Sequence, residues 1–231
     1  MPRIMLSHPI STADGISFRQ IRKLVNQDSP TIIEVGAHHG VHTEQFLRTF
    51  QSARIYAFEP DPRAIAKFEE RIRDPRVRLF KTAVGARDGS TEFHASSGLP
   101  PGLSAEASQA IYPLGWDQSG SIRKPKNYKK FWPWLDFNST FAVPVTRLDT
   151  WAEQHSVVEV DFIWADMQGA EGELIDGGSE VLRKTRFLYI EYSNNEIYEG
   201  EPTLAELLQL LPSFAVVTQF PGDVLLRNKD L

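Results

Sequence analysis

The sequence predicts an α/β fold on a mostly parallel sheet, and three observations carry that expectation. Short β-branched apolar runs alternate with amphipathic stretches through the N-terminal half. The alternation resumes after residue 160. Two last strands flank Pro221-Gly222 and read as an antiparallel hairpin. Alternating strand and helix requires parallel strands joined by right-handed crossovers. At 231 residues, 41% hydrophobic and 24% charged, one such domain over 1–231 is ordinary and two would be cramped.

Each element has its own signal. Segment 17–27 puts Phe18, Ile21, Leu24 and Val25 on one helical face, and Asp28-Ser29-Pro30 ends it. TIIEVGA at 31–37 is a buried strand running into glycine. A helix over 42–50, a strand over 53–60, a helix over 62–72 and a strand over 77–85 follow. Strand 160–166 precedes a helix over 171–183 that breaks at Gly177-Gly178. Strand 186–192, a helix over 203–211 and the strands 214–220 and 223–228 complete the chain. Segment 95–142 fits neither period. It is too rich in aromatics for a disordered linker and reads as an inserted cap, because strand order continues across it.

Composition excludes several chemistries. With no cysteine, disulfides, thiolate catalysis and cysteine-held zinc are ruled out. A net charge of −5 argues against nucleic acid as a partner, which needs a basic face to displace counterions. No apolar run approaches the roughly 18 residues of a membrane helix, and the N-terminus has no apolar signal core; no membrane partner and a cytoplasmic location are expected.

Three clusters carry chemistry. Glu34-Val35-Gly36-Ala37-His38-His39-Gly40 lies where the first strand meets a helix, and glycines there let backbone approach a ligand beside free N–H groups. A plain tight turn would use the same glycines, and the spacing is not that of a nicotinamide-binding loop. Glu59, at the tip of the second strand in Phe58-Glu59-Pro60-Asp61-Pro62, is placed to accept from both hydroxyls of a ribose, while Asp61 caps the next helix. Glycine turn plus ribose acid points to a nucleoside-bearing cofactor. Third, an apolar strand delivers Asp166 to the carboxyl edge of the sheet, and Gly169 and Glu171 follow. His38, His39 and His42 beside these acids raise a metal site, but adjacent histidines are expected to diverge and His42 to face away, so no metal is assigned. In the insertion, Arg123, Lys124, Lys126, Lys129 and Lys130 interleave with Tyr128, Phe131, Trp132, Trp134 and Phe137: either a packed cap with solvated cations, or an acceptor site, while the nucleic-acid reading that such interleaving also allows is contradicted by the net acidity and the small extent of the patch. Position alone suggests that the segment from Trp116 to Ile122 closes over the cofactor.

EVGAHHG, AFEPDP, the AVG at 83–85, RLDTW at 147–151 and DFIWADMQGAEGELIDGG together resemble the FkbM family of S-adenosylmethionine-dependent methyltransferases, over roughly residues 30–192. Against the family pattern, Glu34 stands for Asp, His38 for Asn, Trp164 for Lys and Gln168 for Glu; Asp166, Gly169 and Glu171 match. The resemblance implies a class I, Rossmann-like, seven-stranded sheet with the C-terminal antiparallel hairpin, and S-adenosyl-L-methionine as cofactor. Glu34, Gly36, Ala37, His38 and Gly40 would hold its amino-acid end, Glu59 and Pro60 its ribose, and Ala83 and Val84 would lie near its adenine, with Asp166 at the same edge. Asp166, Glu171 and Glu191 are the candidate bases for a hydroxyl acceptor. The implied activity is O-methylation of a small molecule or glycan. N-methylation and non-catalytic cofactor binding are the alternatives, and no oligomeric state is specified.

Overall fold

A computed structural model describes residues 15–102, 106, 112 and 115–231. The N-terminal reading over 1–14, and the parts of the insertion at 103–105, 107–111 and 113–114, lie outside the described residues. Ten strands are described: β1 (Thr31–Val35), β2 (Arg54–Phe58), β3 (Val77–Phe80), β4 (Ala83–Val84), β5 (Gly89–Gly98), β6 (Leu135–Thr146), β7 (Val160–Ala165), β8 (Thr185–Glu191), β9 (Phe214–Gln219) and β10 (Asp223–Asn228). The α-helices whose two ends lie among the described residues are α1 (Phe18–Val25), α2 (Val41–Thr49), α3 (Pro62–Arg71), α4 (Leu148–Gln154), α5 (Glu171–Gly177), α6 (Ser179–Arg183) and α7 (Leu204–Leu210).

Seven strands make the main sheet in the order β3-β2-β1-β7-β8-β10-β9. The first five are parallel, and β10 runs antiparallel to both β8 and β9. β1 is buried along its whole length, as a central parallel strand with helices on both faces must be. Side-chain alternation divides the core. Ile32, Phe162, Trp164 and Tyr189 face α1 and α2 with Phe46. Ile33, Ile163, Leu188 and Leu226 face the other layer with Leu148, Leu174 and Val181. Connections run one way from β1 through β2 to β3 and the other way from β7 to β8, so strand order reverses between β1 and β7. Ligands of open α/β sheets bind beyond the carboxyl ends of the strands at such a point.

Helix termini follow local chemistry. Ser17 and Gln20 form a reciprocal capping box on α1, and Asp61 caps α3 with Pro62 in its first turn. The break between α5 and α6 falls at Gly177-Gly178, and residue 177 must be glycine because a side chain there would sit 2.0 Å from the Gly85 carbonyl oxygen.

The region from 77 to 146 departs from the sequence expectation. The run 77–85 divides, with Val77–Phe80 in the main sheet and Ala83–Val84 paired to β6. β5 and β6 form a long antiparallel ribbon, so the edges assigned to the insertion at 95 and 142 fall inside two strands. One face of this ribbon is wet, and Ser, Thr and Glu on that face give it the composition of a loop. α4, only seven residues long and without a side-chain cap, likewise gives little helical signal in the sequence.

Candidate active site

The first cluster is the β1–α2 loop. Gly36, His38 and Gly40 all have positive φ (82°, 47° and 75°), which coils the backbone tightly. At Gly36 the conformation and the space both demand glycine: a Cβ would lie 1.9 Å from the Asp166 carbonyl oxygen. Glu59 organises this loop. Its Oε2 accepts from the His38 N–H at 2.8 Å and its Oε1 from the Asp61 N–H at 2.8 Å. Each oxygen keeps a second lone pair. Burial pushes the Glu59 carboxyl up to about 7, opposed by His38 and the two N–H bonds. Glu34 is fully buried on β1. The Thr43 hydroxyl donates to its Oε2, while its Oε1 has no hydrogen-bond partner among the described residues. Burial raises it to about 8.

Beside this loop lies a clasp that the insertion completes. Asp117, with its side chain 2% exposed, accepts from His38 Nε2 at 3.0 Å through Oδ1 and from His39 Nε2 at 2.9 Å through Oδ2. Lys67 Nζ, from α3, reaches the same Oδ2 at 3.0 Å. Burial alone would raise the Asp117 carboxyl, but its histidine partners hold it well below the usual range. The two imidazoles stack with centroids 3.5 Å apart rather than diverging, because one carboxylate grips both. His42 does turn away, and packs its ring 4.4 Å from that of Trp164. The nitrogens of His38 and His39 and an oxygen of Asp117 lie within 4.8 Å of one another, a spacing open to a divalent ion. The Lys67 ammonium, however, already places a positive charge on that carboxylate.

The third cluster is acidic. Asp166 and Glu191 leave the neighbouring strands β7 and β8, and the Gln168 amide bridges them: Nε2 is 2.7 Å from Asp166 Oδ1 and 3.0 Å from Glu191 Oε2. Burial, then Asp166 and Glu171, push the Glu191 carboxyl well above its ordinary value. Glu171 is 1% exposed. Its Oε1 accepts from the Met167 N–H at 3.1 Å, and burial raises it to about 8. The Asp166 N–H donates to the Val35 carbonyl at 3.0 Å, which joins this cluster to the first loop.

Thus Glu34, Gly36, Ala37, His38, Gly40, Glu59, Pro60, Asp166, Glu171 and Glu191 share the carboxyl edge. Glu171 is sealed beneath it as a staple of the β7–α5 turn. Ala83 packs within the small sheet and Val84 in the main core, 5% and 1% exposed, so they offer a ligand little surface. Trp164, which replaces a family Lys, is a core residue under α1 and α2. Sequence reasoning named Asp117 only by position and missed Lys67 and Tyr198, whose partners lie at least 30 residues away in the chain.

The strand order, the reversal at β1/β7 and the acid at the tip of β2 define a class I methyltransferase architecture. Residues 34–215 match the model of the methyltransferase FkbM domain, and the chain belongs to that family. It is 43% identical over 218 residues to 2-O-methyltransferase NoeI of Sinorhizobium fredii, a match that spans 92% of this chain and 85% of that protein. Among solved structures, it is similar to an O-methyltransferase from Klebsiella pneumoniae (13% identity, TM-score 0.46, 95% and 83% of the two chains). It is also similar to Aeropyrum pernix fibrillarin with S-adenosyl-L-methionine (12%, 0.45, 89% and 68%). The chain is a methyltransferase.

Proposed function

We propose that this enzyme transfers a methyl group from S-adenosyl-L-methionine to a hydroxyl of a small molecule or glycan, with Asp166, backed by Glu191, as the base. The observation that carries the reading is that the Asp166–Glu191 pair and the Glu34–Glu59 loop are in backbone contact at one sheet edge. The residues fit the cofactor. Glu34 is fully buried and backs the loop from beneath, and its Oε1, with no partner among the described residues, is the atom left to accept from a donor. Glu59, pinned by two N–H groups, keeps one lone pair on each oxygen for a pair of hydroxyls. Gly36, Ala37, His38 and Gly40 supply the close backbone approach. When bound, the cofactor supplies an electrophilic methyl on a sulfonium. The chain's share is to bind, to align the acceptor and to take its proton at a carboxylate oxygen of Asp166.

The 2-O-methyltransferase name of the 43% identical relative favours oxygen over nitrogen as acceptor atom. The insertion serves as the acceptor-side cap, and its half-buried aromatics Tyr128, Phe131, Trp132 and Phe137 provide flat faces. Four of its five cations are engaged: Arg123, Lys124, Lys126 and Lys129 pair with Glu173, Glu199, Glu196 and Asp136. That pairing speaks against a phosphate-tracking surface and so against nucleic acid. The test is transfer of labelled methyl groups to a panel of sugars and small hydroxylated molecules. Incorporation that is alkali-stable, acceptor-dependent and lost in Asp166→Asn supports the reading; transfer to amines alone overturns it.

A further inference from the structure

Gln168 stands where the family pattern commonly has Glu, and the geometry gives that departure a purpose. Gln168 and Gly169 are consecutive left-handed residues, with φ of 52° and 91°, and the Gln168 side chain returns over the strand ends. Its one NH2 group is spent on two carboxylates, Asp166 Oδ1 and Glu191 Oε2. Its Oε1 lies 3.2 Å from the Tyr198 hydroxyl, whose single proton is shared between it and the Ser119 carbonyl at 2.8 Å. Tyr198 stays protonated, because burial and the surrounding carboxylates raise it well above its ordinary value. Two carboxylates on one side and a hydroxyl donor on the other fix which end of the amide faces which way.

We propose that Gln168 is the positioning residue of the base: a neutral bridge that couples Asp166 to Glu191, aims both, and sets the pH at which the pair gives up its proton. The proposal rests on the reading of Asp166 as base. The groups that face the pair are Glu34 from β1, Glu171 from α5, Tyr189 from β8, Asp223 from β10 and Tyr198 from the segment before α7, while His42 of α2, its ring packed on Trp164, lies near Asp166. Nearly all are acids or phenols. His42, the basic group among them, is lowered by burial and so carries no charge at neutral pH. A glutamate at 168 would therefore be one more carboxylate in an acidic pocket, and the pair would hold its proton to higher pH. A neutral amide supplies the donors without adding charge. Tyr198, tied to Ser119 of the insertion, extends the bridge to the cap.

The experiment follows the Asp and Glu carboxyl carbons by NMR from pH 4 to 10 in the wild-type enzyme and in Gln168→Glu and Gln168→Met, beside rate–pH profiles with any acceptor found. In Gln168→Glu the titration of the pair is expected to move up by about one pH unit or more, from the added like charge. In Gln168→Met, which keeps the length but loses the donors, it is expected to move up by about half a unit. Binding of S-adenosylhomocysteine should stay within about twofold in both. Where an acceptor is available, kcat of Gln168→Glu is expected to fall at neutral pH and recover at alkaline pH. Titrations that superimpose on wild type in both folded variants overturn the bridge while leaving Asp166 as base. Full activity of Asp166→Asn overturns both. If Gln168→Glu does not fold, Gln168→Met decides alone, and Tyr198→Phe, which frees one end of the amide, is expected to give a smaller upward shift.

Discussion

Two clusters share one sheet edge and have opposite electrostatics. In the clasp, one carboxylate sits among three basic side chains, and Asp117 is held far below the ordinary range. In the acidic patch, Asp166 and Glu191 share one neutral amide above the buried Glu171, and the two glutamates are pushed up. The difference separates holding from reacting. Matched charge fixes the insertion on the β1–α2 loop, whereas burial among other carboxylates raises the proton affinity of Glu171 and Glu191. Several substitutions break or sharpen that contrast.

The largest effect is expected from Asp166→Asn, which keeps shape but removes the base. Methyl transfer should fall about 100- to 10,000-fold, as measured by label incorporation, with cofactor affinity changed far less. An active, folded variant would move the chemistry off the patch. Next comes Glu59→Ala, between the clusters. S-adenosylhomocysteine affinity should fall about 10- to 100-fold by calorimetry, from the loss of charged hydrogen bonds each contributing about 1.5–3 kcal/mol. Since Glu59 also satisfies the His38 and Asp61 N–H groups, a stability loss of about 1–3 kcal/mol in chemical denaturation should accompany it.

Asp117→Asn tests the clasp, and about 1–3 kcal/mol of stability should go with the charge. The lowered folded-state value means that the wild-type contribution is whole above the unfolded value of about 3.9 and is lost as pH falls below it. Wild-type and variant denaturation curves should therefore converge in acid. Glu171→Gln should act with the opposite sign. Its carboxyl, raised to about 8 when folded, holds its proton longer than the unfolded chain's, so wild-type stability falls as pH rises from roughly 4 toward 8. The neutral variant should show a flatter dependence of melting temperature on pH, and at pH 8 a melting temperature at or above wild type. The smallest effect belongs to Lys126→Ala, which breaks an ion pair with Glu196 in which both partners are over 40% exposed. Less than about 1 kcal/mol should be lost.

Much of this was legible in the sequence. Buried strands such as Thr31–Val35 and Val160–Ala165 announce themselves because parallel strands are apolar on both faces. Glu34, Glu59 and Asp166 were readable because each ends such a strand. The β5–β6 ribbon was not, since its wet face carries Ser, Thr and Glu. The clasp was not readable either: His38 and Asp117 are 79 residues apart, and only the path of the ribbon brings them together. Gln168 looked like a weakness in the motif because a single residue type does not reveal which two carboxylates it will touch.

The missing side chain at Gly36 leaves the first loop and the Asp166 carbonyl touching backbone to backbone, like meshed teeth. A shift of either loop is passed to the other by contact, with no slack between them. On the proposed function, withdrawal of the Asp166 loop would loosen the β1–α2 loop in the same movement. Redesign for a new acceptor is accordingly expected to succeed by reshaping the insertion and to fail by lengthening either loop.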